Sequence, residues 1–296
     1  MDLPFDPDPR DRRERLLVLQ QVYALHLAPV QQLGERARLQ GDPRVAEVKR
    51  RLEDAWLAEL QEEEPDLPRP RDAAATAEAL TDMAVRHRLP PAYHWLAKQA
   101  DWPQLVRFLA LEGGPDGGFD DLVALCQVGL SGSAKGELAQ NYWDEMGHGD
   151  AAAVHTTLHE QLVAALDLPR IPPEEQPVEA LERSALNGLL ATNRWLQPEL
   201  VGALGMTELQ AGPRCTMVLQ ALQRLGAPAE ALPFYRVHAE VDPVHGRDWV
   251  EKAVLPLVAE NPEWGPRVVR GAHWRNRTNL RFFAAAQAAL ERPAAA

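Results

Sequence analysis

Leucine and alanine return at three- and four-residue intervals along nearly the whole chain, and runs that alternate apolar with polar positions are almost absent. An apolar stripe with a period near 3.6 marks an amphipathic helix and a period of two marks a strand, so the pattern predicts an all-α protein. Two long helices are expected over 10–40 and 44–63, followed by a stiff connector where Pro65, Pro68 and Pro70 crowd together. Further helices are expected over 72–87, 91–98, 103–112 (ended by GGPDGG), 118–130, 134–146, 150–166, 177–195 and 198–204. The remaining ones are expected over 213–225, 229–241, 246–259, 264–271 and 276–291. No segment repeats at a fixed period, which argues against a solenoid. Residues 1–70 read as an N-terminal helical arm and 71–296 as one compact bundle. The arm's apolar stripes must be covered by the bundle, by the mouth of a site, or by a second copy of the chain in a homodimer.

Composition narrows the class. The chain has 296 residues, 46% hydrophobic and 25% charged, enough for a sizeable core in a globular protein. A formal net charge of -12 opposes nonspecific nucleic-acid binding. Nothing approaches the run of about 18 apolar residues that spans a bilayer, so no membrane partner is expected. The start, MDLPFDPDPRDRRERLL, has no apolar secretion core, and a cytoplasmic location is expected. Cys126 and Cys215 sit in apolar helical contexts and read as core residues. A composition rich in Ala, Arg, Leu and Pro suggests a GC-rich bacterial source.

The chain has nine histidines, and two of them frame FYRVHAEVDPVHGRDW at 234–249. At about 100° per residue, His238, Asp242 and His245 fall within about 60° of one another on a helix, among Phe234, Val237, Val241, Val244 and Trp249. A polar triad in apolar surroundings must be hydrogen-bonded, ion-paired or coordinating a metal. Pro243, between them, is expected to kink the helix.

A second cluster lies in AKGELAQNYWDEMGHGD at 134–150. Glu145 and His148 are one turn apart, the Glu-x-x-His spacing by which bundle helices serve carboxylate-bridged di-iron centres. Glu137 lies about 80° away on the same helix, close enough to lean over the site. Glu112 ends the run LVRFLALEGG, where the helix dipole disfavours a negative charge unless a cation faces it; an exposed glutamate on a frayed turn is the alternative. Glu208, in LGMTELQAGP, is a further candidate, or else an ordinary first-turn acid. His155 and His159 have the i, i+4 spacing of a metal pair. Because Gly147 and Gly149 interrupt the helix before them, they are expected to be structural or to support the ligands. Such an oxygen and nitrogen set suits iron or manganese better than structural zinc.

ELAQNYWDEMGHGD, HAEVDPVHGRDW and a glutamate one helix upstream together resemble the heme-oxygenase-like di-iron oxidases and oxygenases, the iron-containing redox enzymes, over roughly residues 75–285. The resemblance implies a heme-oxygenase-like helical bundle with extra N-terminal helices, and core helices that hold two Fe(II) ions with O2 as co-substrate. It implies oxidation of a small-molecule amine or amino acid, by N-oxygenation or oxidative C–C cleavage. Carried over position by position, Glu112, His148 and His245 would serve one iron, His238 and Asp242 the other, and Glu145 would bridge. Glu137 and Glu208 compete for the remaining carboxylate. On that reading, removing His148 or His245 abolishes iron binding, and Trp143, Phe234 and Trp249 form the apolar shell. Arg270, Arg277 and Arg281, near one helical face of VVRGAHWRNRTNLRFF, read as a solvated face or else as the seat of a substrate carboxylate, and Tyr142 as an ordinary core tyrosine or else as a neighbour of the metals. Two other readings stay open: a metal-free enzyme of the same fold, resembling thiaminase or the quinone-forming synthases, and a non-catalytic helical binding protein.

Overall fold

A computed structural model describes residues 3–64, 66–116 and 118–291, with only the backbone for 113–116. The terminal stretch 292–296 lies outside the described residues, and among these there is no strand. The helices are α1 (Arg12–Leu27), α2 (Pro43–Glu62), α3 (Ala73–Arg86), α4 (Pro91–Lys98), α5 (Trp102–Asp116), α6 (Phe119–Cys126) and α7 (Gly132–Glu145). They continue as α8 (His155–Leu166), α9 (Val178–Ala191), α10 (Gln197–Arg224), α11 (Pro233–Asp248), α12 (Leu255–Glu260) and α13 (Trp264–Leu290), with a single α-helical turn at Val30–Leu33, a π-helical segment at Trp249–Val254 and 3-10 segments between several of them. No helix among the described residues is long and apolar enough to cross a membrane.

Local chemistry sets several of these ends. The carboxylates of Asp11 and Asp72 each accept a backbone N–H of the first turn that follows, at 2.8 Å, and Asp42 does the same for Arg44 at 2.9 Å. The predicted 10–40 helix breaks after Leu27, because Ala28 is extended at φ -76, ψ 152 ahead of Pro29, which disfavours a helical residue before it.

Elsewhere the helices are longer than the sequence pattern suggests. The helices expected at 198–204 and 213–225 are one rod, α10, and those expected at 264–271 and 276–291 are one rod, α13. Helix α5 runs on past Glu112 to Asp116, through glycines expected to end it. Gly202 and Gly271 mark the crossing of α10 and α13: a Cβ on Gly202 would lie 1.9 Å from the Val268 carbonyl oxygen, and one on Gly271 1.9 Å from that of Glu199. These glycines serve close helix approach rather than helix termination. Helix α11 likewise continues through Pro243, whose ring packs where a Cβ on Gly212 would sit, 2.8 Å away.

Two apolar cores result. One joins α1 and α2, through Leu16, Leu19, Val22, Trp56 and Leu60, to α9, α10 and Trp274, so the N-terminal helices pack directly on the bundle. The other gathers α4, α5 and the end of α13 around Phe108, Phe282 and Phe283. Each buried Leu or Phe side chain contributes about 1.5–3 kcal/mol of transfer free energy. Glu199, fully buried on α10, accepts from Arg267 Nε at 2.9 Å and also pairs with Arg270, tying α10 to α13 beside the glycine crossing.

Candidate metal centre

Helices α5, α7, α8, α10 and α11 enclose a cavity of about 360 Å³ whose wall includes Glu112, Glu145, His155, Glu208, His238 and Asp242. Ligand-type atoms of Glu145, His155 and His238 all lie within 4.8 Å of one another, and so do those of Glu145, Glu208 and His245. Glu145 is common to both groups. His155 Nδ1 is 2.8 Å from Glu145 Oε2, and His245 Nδ1 is 3.6 Å from Glu208 Oε2 and 3.9 Å from Asp242 Oδ1.

Two of the imidazoles are fixed in orientation from behind. A carbonyl can only accept, so His238 Nδ1, 2.7 Å from the Phe234 carbonyl, carries the proton and leaves Nε2 with a lone pair. His245 Nε2 donates to Asp144 Oδ2 at 3.0 Å, which leaves Nδ1 for Glu208 and Asp242. Outer partners of this kind hold metal-ligating histidines in one tautomer. Asn141 Nδ2 similarly donates to Glu208 Oε1 at 2.7 Å.

The electrostatics describe an acidic nest short of positive charge. Asp242 is 2% exposed, its Oδ2 has no hydrogen-bond partner among the described residues, and burial with the charges of Glu208 and Glu145 holds its carboxyl well above the usual range. Burial draws His245 down, but the Glu208 and Asp144 carboxylates outweigh it and lift it to about 9. Burial, then the charge of His155, lowers His238 to about 4, which leaves it neutral at pH 7. Three crowded buried carboxylates, an orphan Asp242 oxygen and a neutral imidazole fit a cation of the oxygen- and nitrogen-ligated kind.

Among the sequence candidates, the structure brings Glu145, Glu208, His238, Asp242 and His245 together, with Glu112 on the same cavity wall, its carboxylate accepting from the Tyr93 hydroxyl. His148 is elsewhere. Helix α7 ends at Glu145, and Gly147, His148 and Gly149 take positive φ of 59°, 52° and 89°, so the one-turn relation between Glu145 and His148 does not form. The His148 ring is 67% exposed, with Nδ1 3.3 Å from Asp144 Oδ1. The chain folds back so closely that a Cβ on Gly147 would lie 2.6 Å from the Ala153 carbonyl carbon, and that reversal starts α8 with His155 against Glu145. The same glycines that argued against His155 deliver it.

Glu137 points away, toward Lys252 Nζ at 3.7 Å. Tyr142 packs on the first core. Arg270 is held by Glu199 and Arg277 by Glu63. None of these four lines the cavity. Of the expected apolar shell, Phe234 lines the cavity and Trp249 is buried, donating to the Val201 carbonyl, whereas Trp143 is half exposed and lies on Gly149. Cys126 is fully buried, and Cys215 sits on the cavity wall. Sequence reasoning missed Asp144, although Asp144 and Glu145 are adjacent, and also Asp120, which lines the same cavity and whose carboxyl is raised by burial, by Asp121 and by the charge of Glu145.

Fold and cluster together define an all-α, heme-oxygenase-like oxidoreductase. The sequence profile described as iron-containing redox enzyme matches residues 106–279, more than half of the chain, and the chain belongs to that family. No curated protein sequence matches it. Every residue of the cluster lies within the matched span.

Proposed function

We propose that the protein is a non-heme di-iron oxygenase or oxidase that uses O2 to oxidise a small amine or amino-acid-type substrate, by N-oxygenation or oxidative C–C cleavage. The observation that carries this reading is the sharing of Glu145 between two separate carboxylate and imidazole groups, the arrangement in which one carboxylate spans two metals. Glu145, His155 and His238, with Glu112 beside them, would hold one ion; Glu145, Glu208, Asp242 and His245 would hold the other. Iron held by these residues would supply the activation of O2.

The chain's own residues do the rest. The apolar surfaces of Phe234, Phe283 and Val218 keep bulk water from the cavity and limit the substrate to a small molecule. The Phe234 carbonyl and Asp144 hold His238 and His245 in the tautomers that ligation needs. Neutral His238 is ready to ligate at pH 7, whereas His245 and Asp242 must each release a proton first.

Anaerobic Fe(II) titration followed by exposure to air tests the reading. Two equivalents of iron per chain and oxygen uptake with a transient visible absorption band are expected; saturation at one equivalent, or none, sinks it. Asp144→Ala is expected to weaken iron binding by about 10–100-fold through loss of the His245 orientation, and an unchanged affinity in the same titration would remove Asp144 from the account.

A pH dependence follows from the same groups. His245, raised to about 9 from 6.5, and Asp242, also raised, bind protons more tightly folded than unfolded. The contribution of His245 to metal-free stability is fully present below pH 6.5 and is lost as the pH rises through about 9, and that of Asp242 is fully present below 3.8 and is lost as the pH rises through its raised folded value. Bound metal removes the need for those protons. The gap in Tm between Mn(II)-loaded and metal-free protein should therefore widen from pH 6.5 to 9 in calorimetric scans; a constant or narrowing gap contradicts the assignment.

A further inference from the structure

The cavity has a second chemical character beside its acids. Three buried arginines, Arg183, Arg214 and Arg275, line it. Arginine is almost never fully buried without compensation, because a desolvated guanidinium is costly. Arg183 Nε donates to Asn279 Oδ1 at 2.9 Å and its Nη1 to the Glu112 carbonyl at 3.0 Å, and Arg275 Nε donates to Thr207 Oγ1 at 3.2 Å.

Arg214 is the most telling. It is 6% exposed, and its bonds go to neutral acceptors: Nη2 to Gln210 Oε1 at 2.6 Å and the His87 carbonyl at 3.1 Å, and Nε to the Arg88 carbonyl at 3.3 Å. Its Nη1 takes no part in these bonds. The guanidinium lies over the Phe283 ring at 5.1 Å and over the Tyr93 ring at 5.7 Å, and the residue lines the cavity. Glu112 attracts it across the cavity, but the Glu112 carboxylate already accepts from Tyr93 and, in the function proposed above, is committed to metal. Glu208 and Arg214 are six residues apart on α10, about 9 Å along the axis. Ala211, Cys215 and Val218 on the same helix also line the cavity.

We infer that the substrate carries a carboxylate that is seated on the Arg214 guanidinium, with its body along Tyr93, Phe283 and Phe234 and its reacting end beside Glu145 and His238. Planar guanidinium and planar carboxylate match in geometry, and a burial that is unfavourable for either ion alone is relieved when they meet. Arg214 thereby fixes which atom of the substrate faces the metals. This inference rests on the di-iron reading for the direction in which the substrate lies.

The test compares acids with their neutral primary amides, which have the same shape: 3-phenylpropanoate, octanoate, L-phenylalanine and L-lysine, each beside its amide. Affinity is measured by calorimetry on Fe(II)-loaded protein under anaerobic conditions, with iron content determined in the same samples. At least one acid is expected to bind tenfold or more tightly than its amide, Arg214→Gln to bring that ratio close to one, and Arg214→Lys to leave it in between. Arg214→Gln keeps a donor for the His87 carbonyl; if it does not fold by circular dichroism, Arg214→Lys, which keeps the charge, carries the comparison with a ratio reduced several-fold. Equal binding of every acid and its amide by iron-loaded wild type overturns the carboxylate seat and leaves the metal reading standing. A preference that survives unchanged in a folded Arg214 variant overturns it as well. An acid preference that depends on Arg214 in protein that takes up no iron supports the seat and defeats the metal reading alone.

Discussion

His155→Ala is expected to weaken binding of iron on the order of 100-fold or more, since even loss of an outer-sphere partner costs about 10–100-fold. The side chain stands 2.8 Å from Glu145, in the group that also includes His238. His148→Ala is expected to retain full iron stoichiometry, because its ring is largely exposed and stands against Asp144. Parallel titrations of the two variants decide the matter. Loss of iron in His148→Ala with retention in His155→Ala would return the site to the helical spacing of Glu145 and His148 and undo the assignment made from the fold.

The second large effect concerns stability rather than chemistry. Gly202→Ala and Gly271→Ala each place a methyl 1.9 Å from a backbone carbonyl oxygen of the facing helix, and neither backbone can yield without separating α10 from α13. A loss of about 3 kcal/mol or more is expected for either, at the upper end of overpacking costs. Gly136 on α7 is the control: it is exposed, its Cβ would meet nothing within 4 Å, and Gly136→Ala should be stabilising by about 0.5–1 kcal/mol through helix propensity. Urea melts of the three variants check this, and a Gly202→Ala protein within 1 kcal/mol of wild type would mean that the helices do not cross as closely as described.

Both expectations turn on glycines, and glycine is where reading along the chain has least purchase. A glycine in an apolar helical pattern looks the same whether it ends a helix or admits a neighbour. Gly205 packs on Trp249, and a Cβ on Gly246 would lie 2.9 Å from Leu209 Cα, so α10 and α11 meet through small residues inside continuous helices. At Gly147 and Gly149, by contrast, positive φ does break the helix. The difference lies in what approaches from elsewhere in the chain.

The local arithmetic of the α-helix served well where the helix is unbroken. His238, Asp242 and His245 share a stripe because each residue advances about 100°, a property of the backbone alone, and α11 keeps that register through Pro243. The all-α class follows in the same way from apolar periodicity. Glu145 was legible as a carboxylate at a helix end, and Glu208 as a candidate in competition with Glu137. What separates those two is which neighbour each faces, Asn141 and His245 for one and Lys252 for the other.

By itself, then, the sequence determined the all-α class, the polar stripe on α11 and the sign of the charge that gathers there, since all of these are set by residues within a turn or two of each other. Only the tertiary structure decided that His155 and not His148 meets Glu145, that Arg214 and not Arg270 or Arg277 faces the cavity, and that α10 and α13 run unbroken. Each of those depends on a close approach between segments distant in the chain, and the free energy of such contacts is fixed by the shape and burial of both partners together.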